Sequence, residues 1–131
     1  MDFNDFDVVF TYTRKQAIED GVLVDITDTA KKLGFRFPVA VTSTVWHGYI
    51  IPSEDLTCWG QSESGRLWNL LFSLYWQIIQ SPPQQSIHFK TIFLMPDKRH
   101  DYIHKTVELK AIASAGDMGE SVITIMLPEE D

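Results

Sequence analysis

A chain of 131 residues is the size of one domain, and 44% hydrophobic with 12% aromatic content is that of an ordered globular fold. The formal net charge of −7 weighs against direct nucleic-acid binding, which needs Lys and Arg to displace counterions from phosphates. The single cysteine, Cys58, excludes an internal disulfide framework and a thiolate metal cluster, and on its own reads as a small hydrophobe.

Residues 1–7 are acidic where a signal peptide would be basic. The longest apolar run, residues 70–79, is too short and too interrupted to span a bilayer. The expectation is a soluble, cytoplasmic protein with no membrane contact. Residues 6–12 are β-branched and aromatic and read as a short extended segment. Thr13 and Gln16 have the spacing of a capping box, and Asp20-Gly21 closes the short helix that it opens. Residues 22–24 form a brief extended piece, after which Thr27 can cap a second short helix over 28–33, ended by Gly34. Residues 35–41 are apolar and β-rich, although Pro38 puts them at a sheet edge or outside the sheet. Thr42 or Ser43 can cap a third helical stretch through Trp46 and Tyr49, stopped by Pro52, and a polar loop runs to Gly65.

The dominant element is a helix over residues 66–80, started at Ser62 or Ser64 and stopped by Pro82-Pro83. Asn69, Ser73 and Gln77 recur every fourth position as its only polar stripe. A helix apolar on nearly every side has to be covered on most of its circumference, so it is either the centre of the fold or half of an oligomer seam. Trp68 and Trp76 read as core residues on this basis. The last third changes period, with three strands at 87–95, 102–113 and 121–127; Val107, Leu109 and Ala111 alternate with Thr106, Glu108 and Lys110. Residues 97–101 and 114–120 are their hairpin connections. The chain is expected to form a single α+β domain over 1–131. Short N-terminal helices and one long buried helix would pack on a C-terminal antiparallel sheet of three or more strands.

No catalytic signature is present. His100 and His104 stand four apart but lack the Glu of a helical metalloprotease motif, so they, His47 and His88 read as surface histidines rather than metal ligands. Lys98-Arg99-His100 at a hairpin tip is a candidate for contacting phosphate or carboxylate, with a charged turn as the plainer reading. Ser62 to Gly65 superficially fits an anion-binding helix start, which capping explains equally well. Trp59, in a polar loop, is the aromatic whose exposure would mark a binding anchor. Charge is unevenly spread. Residues 1–30 hold Asp2, Asp5, Asp7, Glu19, Asp20, Asp25 and Asp28 against Arg14 and Lys15, whereas residues 88–110 are rich in Lys, Arg and His.

Three stretches, residues 12–46 (YTRKQAIEDGVLVDITDTAKKLGFRFPVAVTSTVW), 64–68 (SGRLW) and 120–131 (ESVITIMLPEED), together resemble an uncharacterised domain-of-unknown-function family. Its members are small proteins carried on bacterial plasmids, phages and other mobile elements. The resemblance imports no catalytic residue and no cofactor. It implies an accessory gene whose product acts on host defence or on replication and transfer.

Two functions fit. The first is a non-enzymatic acidic interaction protein that blocks a basic host protein or nucleic-acid-binding complex, as an anti-CRISPR or anti-restriction inhibitor would. It would use Asp20, Asp25 and Asp28 for steering and Trp59 or Arg99 as further contacts. The second is a small nucleotide- or RNA-processing enzyme with a site assembled from Tyr12, Arg14, Arg66 and a histidine. Neither calls for a metal or cofactor. A homodimer would use the surplus apolar surface of the long helix, or an open sheet edge.

Overall fold

The computed structural model of the chain describes residues 12–57, 60–97, 99 and 102–130. Of the extended segment expected at 6–12, all but Tyr12 lies outside the described residues.

Helix α1 (Arg14–Glu19) starts on the expected capping box: Thr13 Oγ1 accepts from the Gln16 N–H at 3.0 Å, and Gln16 Oε1 accepts from the Thr13 N–H at 2.9 Å. Gly21, at φ 79°, turns the chain into strand β1 (Leu23–Asp25). Helix α2 (Thr27–Leu33) follows, but Thr27 is not its cap. Ile26 occupies that position without a side-chain bond. The Thr27 hydroxyl instead donates to Asp25 Oδ1 and accepts from the Val39 N–H, which pins α2 to the next strand. That strand is β2 (Val39–Thr42). Thr42 caps a single helical turn, α3 (Ser43–Val45), which runs directly into a π-helical turn, Trp46–Ile50. The polar stretch that follows contains a short helix, α4 (Glu54–Thr57). Helix α5 (Glu63–Gln80) begins on Ser62, whose Oγ accepts from the Gly65 N–H at 3.1 Å.

Strands β3 (Ser86–Pro96), β4 (Tyr102–Ala115) and β5 (Ser121–Met126) form the expected antiparallel meander. The sheet is larger than the meander. Its order is β1-β2-β5-β4-β3, with β2 parallel to β5. Residues 39–42 are therefore interior, a correction to the edge position that Pro38 suggested. Pro38 stands just before the strand, where a missing N–H costs nothing, and its carbonyl still accepts from the Ile123 N–H at 2.9 Å.

One sheet face carries the main core. Val39, Val41, Phe89, Phe93, Val107, Leu109, Ala111 and Ile125 meet Ala30 of α2, Val45 and Ile50 of the third helical stretch, and Leu67, Leu70, Leu71 and Leu74 of α5. The alternate residues of β5 face the other way. There α1 covers the sheet: Arg14 Nη1 donates to Thr124 Oγ1 at 2.7 Å and Nη2 to the Ile123 carbonyl at 2.9 Å, and Ala17 and Val122 are buried.

Arg66 is 4% exposed, although it is charged. Its guanidinium donates to the carbonyls of Tyr49 (2.7 Å) and Leu94 (2.9 Å) and to Gln61 Oε1 (3.0 Å), and lies 5.0 Å from the Phe93 ring centroid. Asn69 Nδ2 donates to the Ile92 carbonyl at 2.8 Å. Because β3 is an edge strand, these two α5 side chains occupy carbonyls that would otherwise invite another strand.

Helix α5 is central but only half covered, which corrects the expectation for its aromatic residues. Trp68, Phe72, Trp76 and Ile79 are 42 to 55% exposed and Tyr75 is 36% exposed. Trp68 and Trp76 are not core. The pattern explains the misreading: 67, 71, 74 and 78 form one heptad-spaced seam that faces the sheet, and 68, 72, 75 and 79 form a second, one residue out of phase, that faces solvent.

Candidate functional site

The described acidic residues of the N-terminal third gather at one corner of the molecule, built from α1, β1 and the start of α2. Glu19, Asp20, Asp25 and Asp28 are all exposed. Two acids from far along the chain join them. Asp117, at the β4–β5 turn, accepts the Arg14 N–H on Oδ1 (2.8 Å) and the Lys15 N–H on Oδ2 (3.0 Å), so a carboxylate 103 positions away holds the start of α1. Glu120, in the same turn, accepts the Met118 N–H. Glu19, Asp25, Asp117 and Glu120 line one shallow depression with Arg14 and Lys15; Asp25 also borders a second, with Asp28 and Trp46. Asp25 thus links the two acidic patches.

These carboxylates do not all have the same freedom. Asp25 Oδ1 accepts both the N–H and the hydroxyl of Thr27, and Asp20 Oδ2 accepts the Tyr12 hydroxyl at 2.7 Å. The bond to Asp20 pushes the Tyr12 phenol pKa above its ordinary value, since the neutral phenol is the donor. The two backbone donors hold the Asp117 carboxyl below the ordinary carboxylate range. Burial lowers the Arg14 pKa, against the opposing pull of Asp25, Asp117 and Glu120, and the side chain stays charged at physiological pH. Its guanidinium is directed inward to Thr124 and Ile123, so it is a structural anchor under the acidic surface.

Basic residues occupy the opposite edge. Lys90, Lys105 and Arg99 are exposed along the β3–β4 hairpin and its tip, together with His88 and His104. The strand order places the two strands of this hairpin three and four positions away from β1. His88 faces Glu108 at 3.5 Å; His104 pairs with Leu94, six residues further along β3 than His88, or about 20 Å at the rise of a strand. His100 and Trp59 lie outside the described residues. Among the described residues no group of three His, Cys, Asp or Glu side chains could hold a metal ion, and no helix is long and apolar enough to cross a membrane.

Tyr12, Arg14 and Arg66 do not converge. Arg14 borders the acidic depression, whereas Arg66 lies beneath α5 beside a hollow of about 290 Å³ that also includes Asn69 and His104. That hollow touches the start of α5, but Ser62 already caps the helix and the Arg66 donors are taken by protein acceptors. Another cleft, of about 430 Å³, opens at the far end of α5. It is walled by Phe35, Phe37, Leu74, Tyr75 and Ile78, and Arg36 is the one charged residue among its described walls.

Sequence reading missed Asp117 and Glu120 as members of the acidic corner. Neither lies in an acidic run, and only the tertiary fold brings their turn to α1. It also missed the solvent-facing aromatic seam, because an apolar pattern does not say which of two seams the fold will cover. No curated protein and no solved structure matches this chain. Its sequence as a whole nevertheless fits one family profile, and the chain belongs to that family of unknown function, DUF6573, which spans residues 1–131.

Proposed function

We propose that this protein is a non-enzymatic interaction module that captures a basic partner through its acidic corner. The observation that carries the reading is the convergence of Glu19, Asp25, Asp28, Asp117 and Glu120, from three separate segments, on one surface. A cluster of exposed carboxylates raises the association rate with a positively charged surface and excludes like-charged competitors. The polarity of the molecule strengthens this, since the basic hairpin at the opposite edge would orient an approaching partner. The resemblance to small proteins of plasmids, phages and other mobile elements supports a finer form of the proposal. The partner would then be a host defence or nucleic-acid-binding complex, and the acidic corner would occupy a channel built for phosphates.

The test is charge reversal at acids whose side chains make no hydrogen bond among the described residues. Asp25 supports the start of α2, and Asp20 holds Tyr12, so reversing them confounds binding with folding. Glu19→Lys with Asp28→Lys is the cleaner variant. It should reduce capture of a basic partner at low salt while the protein stays folded, with a melting temperature only slightly lowered because Asp28 sits in the first turn of α2. Unchanged capture would refute the assignment.

A further inference from the structure

The solvent-facing seam of α5 is not used by the acidic corner and has a chemistry of its own. From Leu67 to Gln80 the helix carries no charged side chain, in a protein whose net charge is −7. Trp68, Phe72, Tyr75 and Ile79 follow the 4-3-4 spacing of a coiled-coil seam, with Trp76 packed edge-to-face on Phe72 at 6.1 Å between ring centroids. The seam spans about 16 Å at 1.5 Å per residue.

We propose that this seam pairs with the same seam of a second copy of the chain, forming a two-fold dimer through antiparallel α5 helices. Three observations favour a second copy over a foreign partner. A two-fold interface must complement itself, which a patch of one charge sign cannot do and a neutral apolar stripe can. The acidic and basic surfaces elsewhere would each repel their own copy, whereas this face meets no such barrier. The area is also adequate. Exposed fractions of 42, 45, 36, 47 and 55% on Trp68, Phe72, Tyr75, Trp76 and Ile79 leave roughly 450 Å² per copy, taking about 200 Å² for a fully exposed large side chain.

The apolar surface continues through Tyr75 to Phe37, 47% exposed on the wall of the adjoining cleft, and reaches roughly 550 Å² per copy. Two copies would bury about 1,100 Å², above the floor of about 1,000 Å² for a specific interface and within the range of weak, reversible ones. A weak, reversible dimer is therefore expected, with dissociation in about the micromolar range. The competing seam, the β3 edge, is already engaged at the Ile92 and Leu94 carbonyls by Asn69 and Arg66.

Sedimentation equilibrium on the full chain tests the proposal. The parent should shift from monomer to dimer over the micromolar range. Added salt should tighten the dimer, because screening relieves repulsion between two like-charged copies. This is opposite to the salt response expected of a partner held at the acidic corner, so the two proposals fail independently. Phe72→Glu should weaken the dimer about tenfold or more, since it would bury a charge at the centre of the seam. If that variant does not fold, Ile79→Lys, at the exposed end of the helix, takes its place with the same expectation. A parent that stays monomeric to about 500 μM at both low and high salt would overturn the proposal. So would a dimer that survives both substitutions.

Discussion

Replacing Arg66 with Met separates a structural role for this cation from a chemical one. Methionine keeps a long apolar stem but donates no hydrogen bond, so the Tyr49 and Leu94 carbonyls and Gln61 Oε1 lose the partners they have at 2.7, 2.9 and 3.0 Å. A buried acceptor left without a donor costs about 1–3 kcal/mol, and these three, being partly buried, fall toward the lower end. Removing a buried cation that no described carboxylate pairs with recovers part of that loss, which leaves a net destabilisation of about 2–4 kcal/mol. For a domain of this size the melting temperature should fall by roughly 10 °C. Urea melts followed by circular dichroism measure the change directly. Arg66→Lys should not restore stability, because one ammonium cannot span three acceptors arranged around a planar fork. A loss below about 0.5 kcal/mol for Arg66→Met would refute the structural role and leave the guanidinium available to a ligand.

Three further outcomes follow from the same contacts. Leu71→Ala or Leu74→Ala, both fully buried on the sheet-facing seam of α5, should cost about 2–5 kcal/mol in a denaturant melt, and a loss under about 1 kcal/mol would mean that this face is not core. Thr91 is 1% exposed and its hydroxyl has no hydrogen-bond partner among the described residues, so Thr91→Val, of nearly the same shape, should stabilise the protein by about 1 kcal/mol; a destabilised variant would show that the hydroxyl has a partner. The Asp117 carboxyl is held below its ordinary pKa by the start of α1, so its contribution is complete at neutral pH and lost as pH falls below the ordinary Asp value of about 3.9. Asp117→Asn should flatten the acid limb of the stability–pH curve, and an unchanged limb would contradict the contact.

Much of the architecture could be read locally. The Thr13–Gln16 box, the Ser62 cap and the glycines that end α1 and α2 are signals within four residues of the structures that they set. The alternation of Val107, Leu109 and Ala111 identified the inner face of β4. What could not be read depends on distant partners. The parallel pairing of Val39 with Ile123 has no local signature, and Pro38 pointed to an edge because sequence does not show that its N–H would have had no role. Thr27 looked like a cap since Thr favours that position, but its hydroxyl found Asp25 and the β2 backbone instead. In the acidic corner, Asp20, Asp25 and Asp28 were visible as a run, whereas Asp117 and Glu120 arrive with a turn whose position is set by the whole sheet. The exposure of Trp68, and of Trp76 packed beside it on Phe72, depends on which of two equivalent seams the sheet covers.

The central claim is that the acidic corner captures a basic partner, and a comparative pull-down tests it most directly. Parent protein and the Glu19→Lys, Asp28→Lys variant are each immobilised and exposed to the same bacterial lysate at low and at raised salt, and the retained proteins are quantified by mass spectrometry. The account predicts a basic protein or complex held by the parent at low salt, released as salt screens the exposed carboxylates, and depleted on the variant. Retention of the same proteins in equal amounts by parent and variant, or of no basic protein by the parent at low salt, would contradict it.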